Sequence, residues 1–194
     1  VKDSDSIYTG FTSHLVDDRI IERFYEGEDI YLEPEEGCYH PNQFLMLVSN
    51  ANQKKTALAR FCSPLEPLQR MPKYTKGIWG VRPRNKEQQF AMDLLMDRNI
   101  QIITLIGKAG SGKTLCAIAA GLQQTVDDFM VKGEPHYTRM IVSRPVQPLG
   151  KDLGFLPGTL EEKMKPWLTP IQDNLQFLMG NDKTTLDMYL ERGR

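Results

Sequence analysis

Cysteine is scarce in this chain. Its 194 residues include three, Cys38, Cys62 and Cys116, odd in number and far apart. None forms a C-x-x-C pair, so a disulfide framework and a cysteine-rich zinc site both lack their usual signature. The three are expected to be reduced, structural thiols in a cytoplasmic protein, since that compartment keeps cysteines reduced. Histidine is as rare: His14, His40 and His136 stand alone, which gives no ligand spacing for a metal. No apolar run approaches the roughly 20 residues that span a bilayer, and no signal peptide is visible, so no membrane partner is expected. A surplus of one charge is lacking too. Lys plus Arg number 24 against 25 Asp plus Glu, a net charge of −1. The whole chain therefore has no electrostatic bias toward nucleic acid, and only a local basic patch would supply one.

What is present is ordinary globular material, 40% hydrophobic and 25% charged, long enough for one good-sized domain or two small ones. Val1 opens into a polar stretch, and Tyr189–Arg194 follow a helical pattern with no closing element. The chain is therefore expected to be a piece of a longer protein. Composition shifts near residue 80. Residues 1–63 are expected to form a small β-rich module. Within it, Asp17 and Asp18 can cap a helix carrying Ile20, Ile21, Phe24 and Tyr25, stopped by Gly27. Strands are expected at Asp29–Leu32, Gln43–Ser49 and Thr56–Cys62, the last two joined as a hairpin through Asn50–Lys55. Residues 64–83 hold Pro64, Pro67, Pro72 and Pro83 with Gly77 and Gly80, a density that suits a linker.

From residue 84 to 194 the elements lengthen and alternate. A helix is expected at Lys86–Asp97, a buried parallel strand at Ile100–Ile106, a helix at Lys113–Val126 and a second buried strand at Arg139–Ser143. That is a βαβ unit. Two further helices have start signals at Thr159-Leu-Glu-Glu162 and at Thr169-Pro170-Ile171-Gln172, the latter ending at Gly180. A last helix is expected over Thr184–Glu191. The methionines at helical spacing, Met92 and Met96 among them, are expected to be packing. Trp79 is expected to anchor the linker, and Trp167 to bury a helix face.

The chemistry concentrates in Gly107-Lys108-Ala109-Gly110-Ser111-Gly112-Lys113-Thr114, a full match to G-x-x-x-x-G-K-[ST] between an expected strand and an expected helix. Gly107, Gly110 and Gly112 let the backbone wrap so that N–H groups point inward at a polyphosphate. The helix N-terminus adds partial positive charge through residues such as Leu115. Lys113 supplies a full charge to the β- and γ-phosphates, and the Thr114 hydroxyl is placed to ligate magnesium. A nucleoside triphosphate, ATP with Mg2+, is the expected ligand. Upstream, Gln88 has two readings. Its amide matches the adenine edge, and Asn85 with Gln88 also makes a helix-capping pair. Downstream, the loop Arg144–Gly158 leaves the carboxyl end of the second expected strand, where ligands of parallel sheets bind. Arg144 and Lys151 are candidates for a phosphate backbone and Phe155 for stacking on a base. An ion pair and a core contact would explain the same residues.

Three segments together, Asn85-Lys-Glu-Gln88, the Gly107–Thr114 loop, and Arg144-Pro…Gly154-Phe-Leu-Pro-Gly158-Thr-Leu-Glu-Glu-Lys163, resemble the PhoH family of ATPases over about residues 82–180. The residues ahead of them resemble the variant in which a PIN nuclease domain precedes the PhoH domain, described as an RNA helicase and ribonuclease. The PIN domain itself is not expected within this chain. The resemblance implies a RecA-like α/β P-loop NTPase fold with a parallel sheet, truncated here and preceded by the β-rich module. It also implies Gln88 as adenine reader and the Arg144–Gly158 loop as a contact to single-stranded RNA. RecA-like ATPases often form homo-oligomeric rings in which a neighbour supplies an arginine. One departure stands out: no apolar run ending in Asp-Glu follows residue 144. Without that acidic strand the attacking water has no positioned base, so this chain is expected to bind ATP with little hydrolysis. Two other uses of the loop remain, a small-molecule kinase and a nucleotide-dependent regulatory module.

Overall fold

The computed structural model describes residues 9–32, 39–127, 137–143 and 160–180, with side chains from 169 onward in the last stretch. The chain divides into two compact units, Val1–Lys73 and Tyr74–Arg194, a division that falls inside the proline-rich segment 64–83.

The first unit is built on a four-stranded sheet in the order β1 (Phe11–Val16), β2 (Gln43–Ser49), β3 (Thr56–Phe61), β4 (Gln69–Arg70). Between β1 and β2 runs α1 (Asp18–Glu26), and β1 pairs parallel to β2. The βαβ arrangement thus occurs here, in a unit expected to carry a helix and three strands, two of them a hairpin. The local signals of α1 act as the sequence implies. Asp17 accepts from the Arg19 N–H at 2.9 Å, and Gly27, at φ 97°, turns the chain out of the helix. Ile21 and Phe24 face a core with Leu45, Leu47, Ala57, Ala59 and Phe61. Those strand residues come from alternating positions, and Leu45 lies opposite Ala59, Leu47 opposite Ala57, so one sheet face is continuous under the helix. The hairpin closes through Asn50–Lys55, where Ser49 Oγ accepts from the N–H groups of Ala51 and Asn52.

Two strand expectations in this unit are corrected. Asp29–Leu32 forms no strand: Ile30 is buried and its carbonyl takes the Leu68 N–H at 2.7 Å, one bond and no ladder. Phe11–Val16, unforeseen, is a strand. Its alternation is short and half polar, and what makes it a strand is the unsatisfied edge of β2 beside it.

In the second unit helices pack around α3 (Lys113–Leu122), which continues through a π-helical turn at Gln123–Asp127. α2 (Lys86–Met96) meets it through Met92 against Cys116, Ala119 and Ala120, small residues that allow close approach. α4 (Leu160–Leu178) meets its other side through Leu175 against Ile118, Leu122 and Val126. A hairpin at Ile78–Val81 sits between these contacts. Both its turn residues have positive φ, Trp79 at 47° and Gly80 at 75°, the type I′ geometry. Trp79 donates from its backbone to Gln123 Oε1 at 2.8 Å and from its indole to the Leu178 carbonyl at 3.1 Å. The tryptophan expected to anchor a linker is thus a joint between α3 and α4.

Three expectations here are corrected as well. Ile100–Ile106 and Arg139–Ser143 are not strands among the described residues, and Ile102, Ile106 and Ile141 are 86%, 91% and 81% exposed. A central parallel strand draws its backbone bonds and its burial from neighbours on both sides, and no described strand lies beside either segment. The parallel sheet expected around the loop is therefore not formed among the described residues, where the mixed α/β fold rests on the sheet of the first unit. Met140 still lies on α3, where a Cβ at Gly121 would overlap its sulfur. Third, the helix start expected at Thr169-Pro170 lies inside α4. Pro166 and Pro170 each remove a donor from this helix, but the contacts of Ile171 and Leu175 on α3 run past that point, and Asn174 Nδ2 donates to the Pro170 carbonyl at 2.6 Å. Thr159 and the expected Thr184–Glu191 helix lie outside the described residues, and the side chain of Trp167 is among those not described. No helix among the described residues is long and apolar enough to cross a membrane.

Candidate nucleotide-binding site

The loop Gly107–Thr114 leads into α3 as the motif requires. Gly110 and Gly112 lie in the left-handed region at φ 77° and 84°, where a Cβ would be strained. Ser111 donates its N–H to the Lys108 carbonyl at 3.3 Å, which folds the loop back on itself. The first intrahelical bond runs from the Cys116 N–H to the Gly112 carbonyl at 2.9 Å. That leaves the N–H groups of Lys113, Thr114 and Leu115 ahead of the helix ladder, aimed out of the N-terminus with its partial positive charge.

Lys113 lies back over this loop. Its ammonium donates to the Gly107 carbonyl at 2.8 Å, the Lys108 carbonyl at 2.8 Å and Ser111 Oγ at 3.2 Å. Three oxygens therefore hold a full positive charge over the loop. Thr114 is exposed on the first turn of α3 beside it. A hydroxyl and the N–H groups of a helix's first turn form a set suited to a magnesium polyphosphate, with the hydroxyl on the hard cation and the N–H groups on phosphate oxygens. One turn further, Cys116 is buried, and burial pushes its thiol above the ordinary value, so it is an unreactive packing residue.

Gln88 reaches this loop from α2. The capping pair read in the sequence exists: Asn85 Oδ1 accepts from the Gln88 N–H at 2.8 Å. The Gln88 side chain does more. Nε2 donates to the Ser111 carbonyl at 3.1 Å, and Oε1 accepts from the Arg84 N–H at 2.8 Å. Sequence reasoning missed this bridge, because nothing near Gln88 announces a partner 23 residues away. Arg144, Lys151 and Phe155, the candidates for nucleic acid, lie outside the described residues. Among the described residues no group of three or more His, Cys, Asp and Glu is placed to hold a metal ion.

Comparison with known proteins sets this geometry in a family. The family described as PhoH-like protein matches residues 80–194. The Protein PhoH2 of Bacillus subtilis is 39% identical over 184 residues, which are 94% of this chain and 40% of that protein. The Protein PhoH2 of Mycolicibacterium smegmatis is 38% identical over 117 residues, 60% of this chain and 25% of its own length. A PhoH-like protein of Mycobacterium leprae is 41% identical over 99 residues, 51% of this chain and 26% of its own. The chain thus spans well under half the length of these relatives. No solved structure matches it. With the phosphate-loop geometry in place and the match running through it, the chain belongs to the PhoH-like protein family.

Proposed function

We propose that this chain binds ATP with magnesium at Gly107–Thr114, as part of a cytoplasmic P-loop ATPase of RecA-like type that couples hydrolysis to RNA unwinding or processing. The observation that carries the reading is the Lys113 ammonium, held by three loop oxygens at the N-terminus of α3. A triphosphate entering the nest offers that ammonium better acceptors than backbone carbonyls do, since charge-assisted bonds to phosphate are roughly twice as strong as neutral ones. Lys113 then turns from loop to β- and γ-phosphates and stabilises charge developing on the transferred group. Gly107, Lys108, Ala109, Gly110, Ser111 and Gly112 supply the backbone cradle, Leu115 an N–H of the first turn, and Thr114 the magnesium ligand.

The wider protein's activity is read through Arg144, Lys151 and Phe155 as contacts to single-stranded RNA, with a homo-oligomeric ring as the assembly. Titration with MgATP tests the central claim. Lys113→Ala is expected to abolish binding while the protein stays folded, and unchanged affinity would sink it. For RNA, Arg144→Ala is expected to weaken single-strand binding and to flatten its salt dependence by about one contact's worth of slope. ATP-dependent phosphorylation of a small metabolite by the longer protein would replace the helicase reading with a kinase. Binding without turnover, with and without RNA, would replace it with a switch.

A further inference from the structure

The geometry of Gln88 bears on what it does for the ligand. A primary amide offers an acceptor oxygen and a donor nitrogen, and an adenine reader must present both to the base edge. In this structure each already has a backbone partner, the Arg84 N–H on Oε1 and the Ser111 carbonyl on Nε2. The side chain is closely fitted as well: a Cβ at Gly112 would stand 3.0 Å from Nε2. The backbone N–H of Gln88 is fixed by Asn85, so the amide is held at its root and at its tip. The carbonyl it grips belongs to the Ser111–Gly112 peptide, which enters the left-handed turn at Gly112 and delivers the chain to Lys113. Ser111 also lends its hydroxyl to the Lys113 ammonium. Rotating that peptide would turn the loop's last N–H groups away from a bound phosphate and shift the lysine with them.

Resting on the triphosphate reading above, we propose that Gln88 is a positioning residue for the phosphate loop. It serves the polyphosphate common to all nucleoside triphosphates and not the base. Removing it lowers affinity for the polyphosphate itself, whatever base is attached. The test compares wild type, Gln88→Met and Gln88→Glu for binding of MgATP, MgGTP and magnesium tripolyphosphate, with the ligand-free melting temperature measured alongside. Gln88→Glu keeps the acceptor toward Arg84 but loses the donor to Ser111, and so provides a second variant should Gln88→Met fold poorly. The expected result is a loss of roughly tenfold for all three ligands alike, with the wild-type ratio of ATP to GTP affinity retained. If ATP binding alone weakens while tripolyphosphate binding holds, Gln88 reads the base and the proposal fails. If the melting temperature falls with all three affinities intact, Gln88 is only a helix cap and the proposal fails equally. A wild-type protein that binds none of the three ligands overturns the triphosphate reading instead, so the two failures are distinguishable.

Discussion

Trp79 carries a backbone cost that its side chain offsets. A tryptophan at φ 47° sits in a region that costs a non-glycine residue roughly 1–2 kcal/mol. Its indole answers with a bond to the Leu178 carbonyl and packing against residues of α2, α3 and α4. Trp79→Phe keeps most of that packing and loses the indole donor. It is expected to destabilise the second unit by about 1 kcal/mol, read as a lowered denaturation midpoint. No change in midpoint would show that the Leu178 bond contributes nothing. Lys113 illustrates the same scale from the functional side. The motif names the residue, while its three oxygen partners emerge only when the loop is folded.

Among the elements, α1 joins the hairpin through charge. Lys55, in the turn between β2 and β3, pairs with Asp18 at 2.7 Å and Glu22 at 2.8 Å, and Asp18 also accepts from the Ser49 hydroxyl at 2.8 Å. The Lys55 bond first, and the Ser49 bond after it, lower the Asp18 carboxyl below its ordinary value. The Asp18 bond likewise raises Lys55. A lowered carboxyl contributes stability that is present above its unfolded pKa and lost as pH falls through the folded one. The raised Lys55 contributes below its unfolded pKa and loses that contribution as pH rises through the folded value. Asp18→Asn is therefore expected to flatten the acid limb of the stability curve, as pH falls below about 4, and to leave the limb near neutrality unchanged in slope. The effect is small and fades with added salt because the pair faces solvent. An unaltered acid limb would mean the pair forms equally in the unfolded chain. Arg70, on β4, joins the same helix from the other end. Its guanidinium donates to the carbonyls of Phe24 and Glu28 and lies over the Phe24 ring, 4.8 Å from the centroid, a cation where the helix dipole favours one.

For the whole molecule, two compact units, each with buried clusters of its own, imply two responses. Ile21 is fully buried in the first, and Ile21→Ala is expected to cost about 2–5 kcal/mol there. Under the proposed function MgATP binds the folded loop and not the unfolded chain, and it is then expected to stabilise the second unit by mass action. Calorimetry should show Ile21→Ala lowering one transition while the ATP-dependent shift of the other keeps its wild-type size. A single transition in which the substitution removes the ATP shift would mean the units do not unfold independently.

The sequence by itself determined whatever depends on a few neighbouring residues. Asp17, Gly27 and Asn85 cap helices because capping bonds span two to four residues. The hairpin at Gln43–Phe61 is legible because alternation and a polar turn lie side by side. The phosphate loop is legible because its glycines, lysine and helix start form one continuous string. Tertiary structure alone decided the rest, because the deciding partners are remote in sequence. Phe11–Val16 became a strand through β2, and Asp29–Leu32 makes one bond, from Leu68, and no ladder among the described residues. Among the described residues, the apolar runs at 100–106 and 139–143 have strand composition without strand pairing, since a ladder needs a second chain segment to bond. Two expected helices merged into α4 because burial on α3 outweighed the donors missing at Pro166 and Pro170. Gln88 shows the division within one residue: its bond from Asn85 is written three positions upstream, and its grip on Ser111 exists only because α2 and the loop fold together.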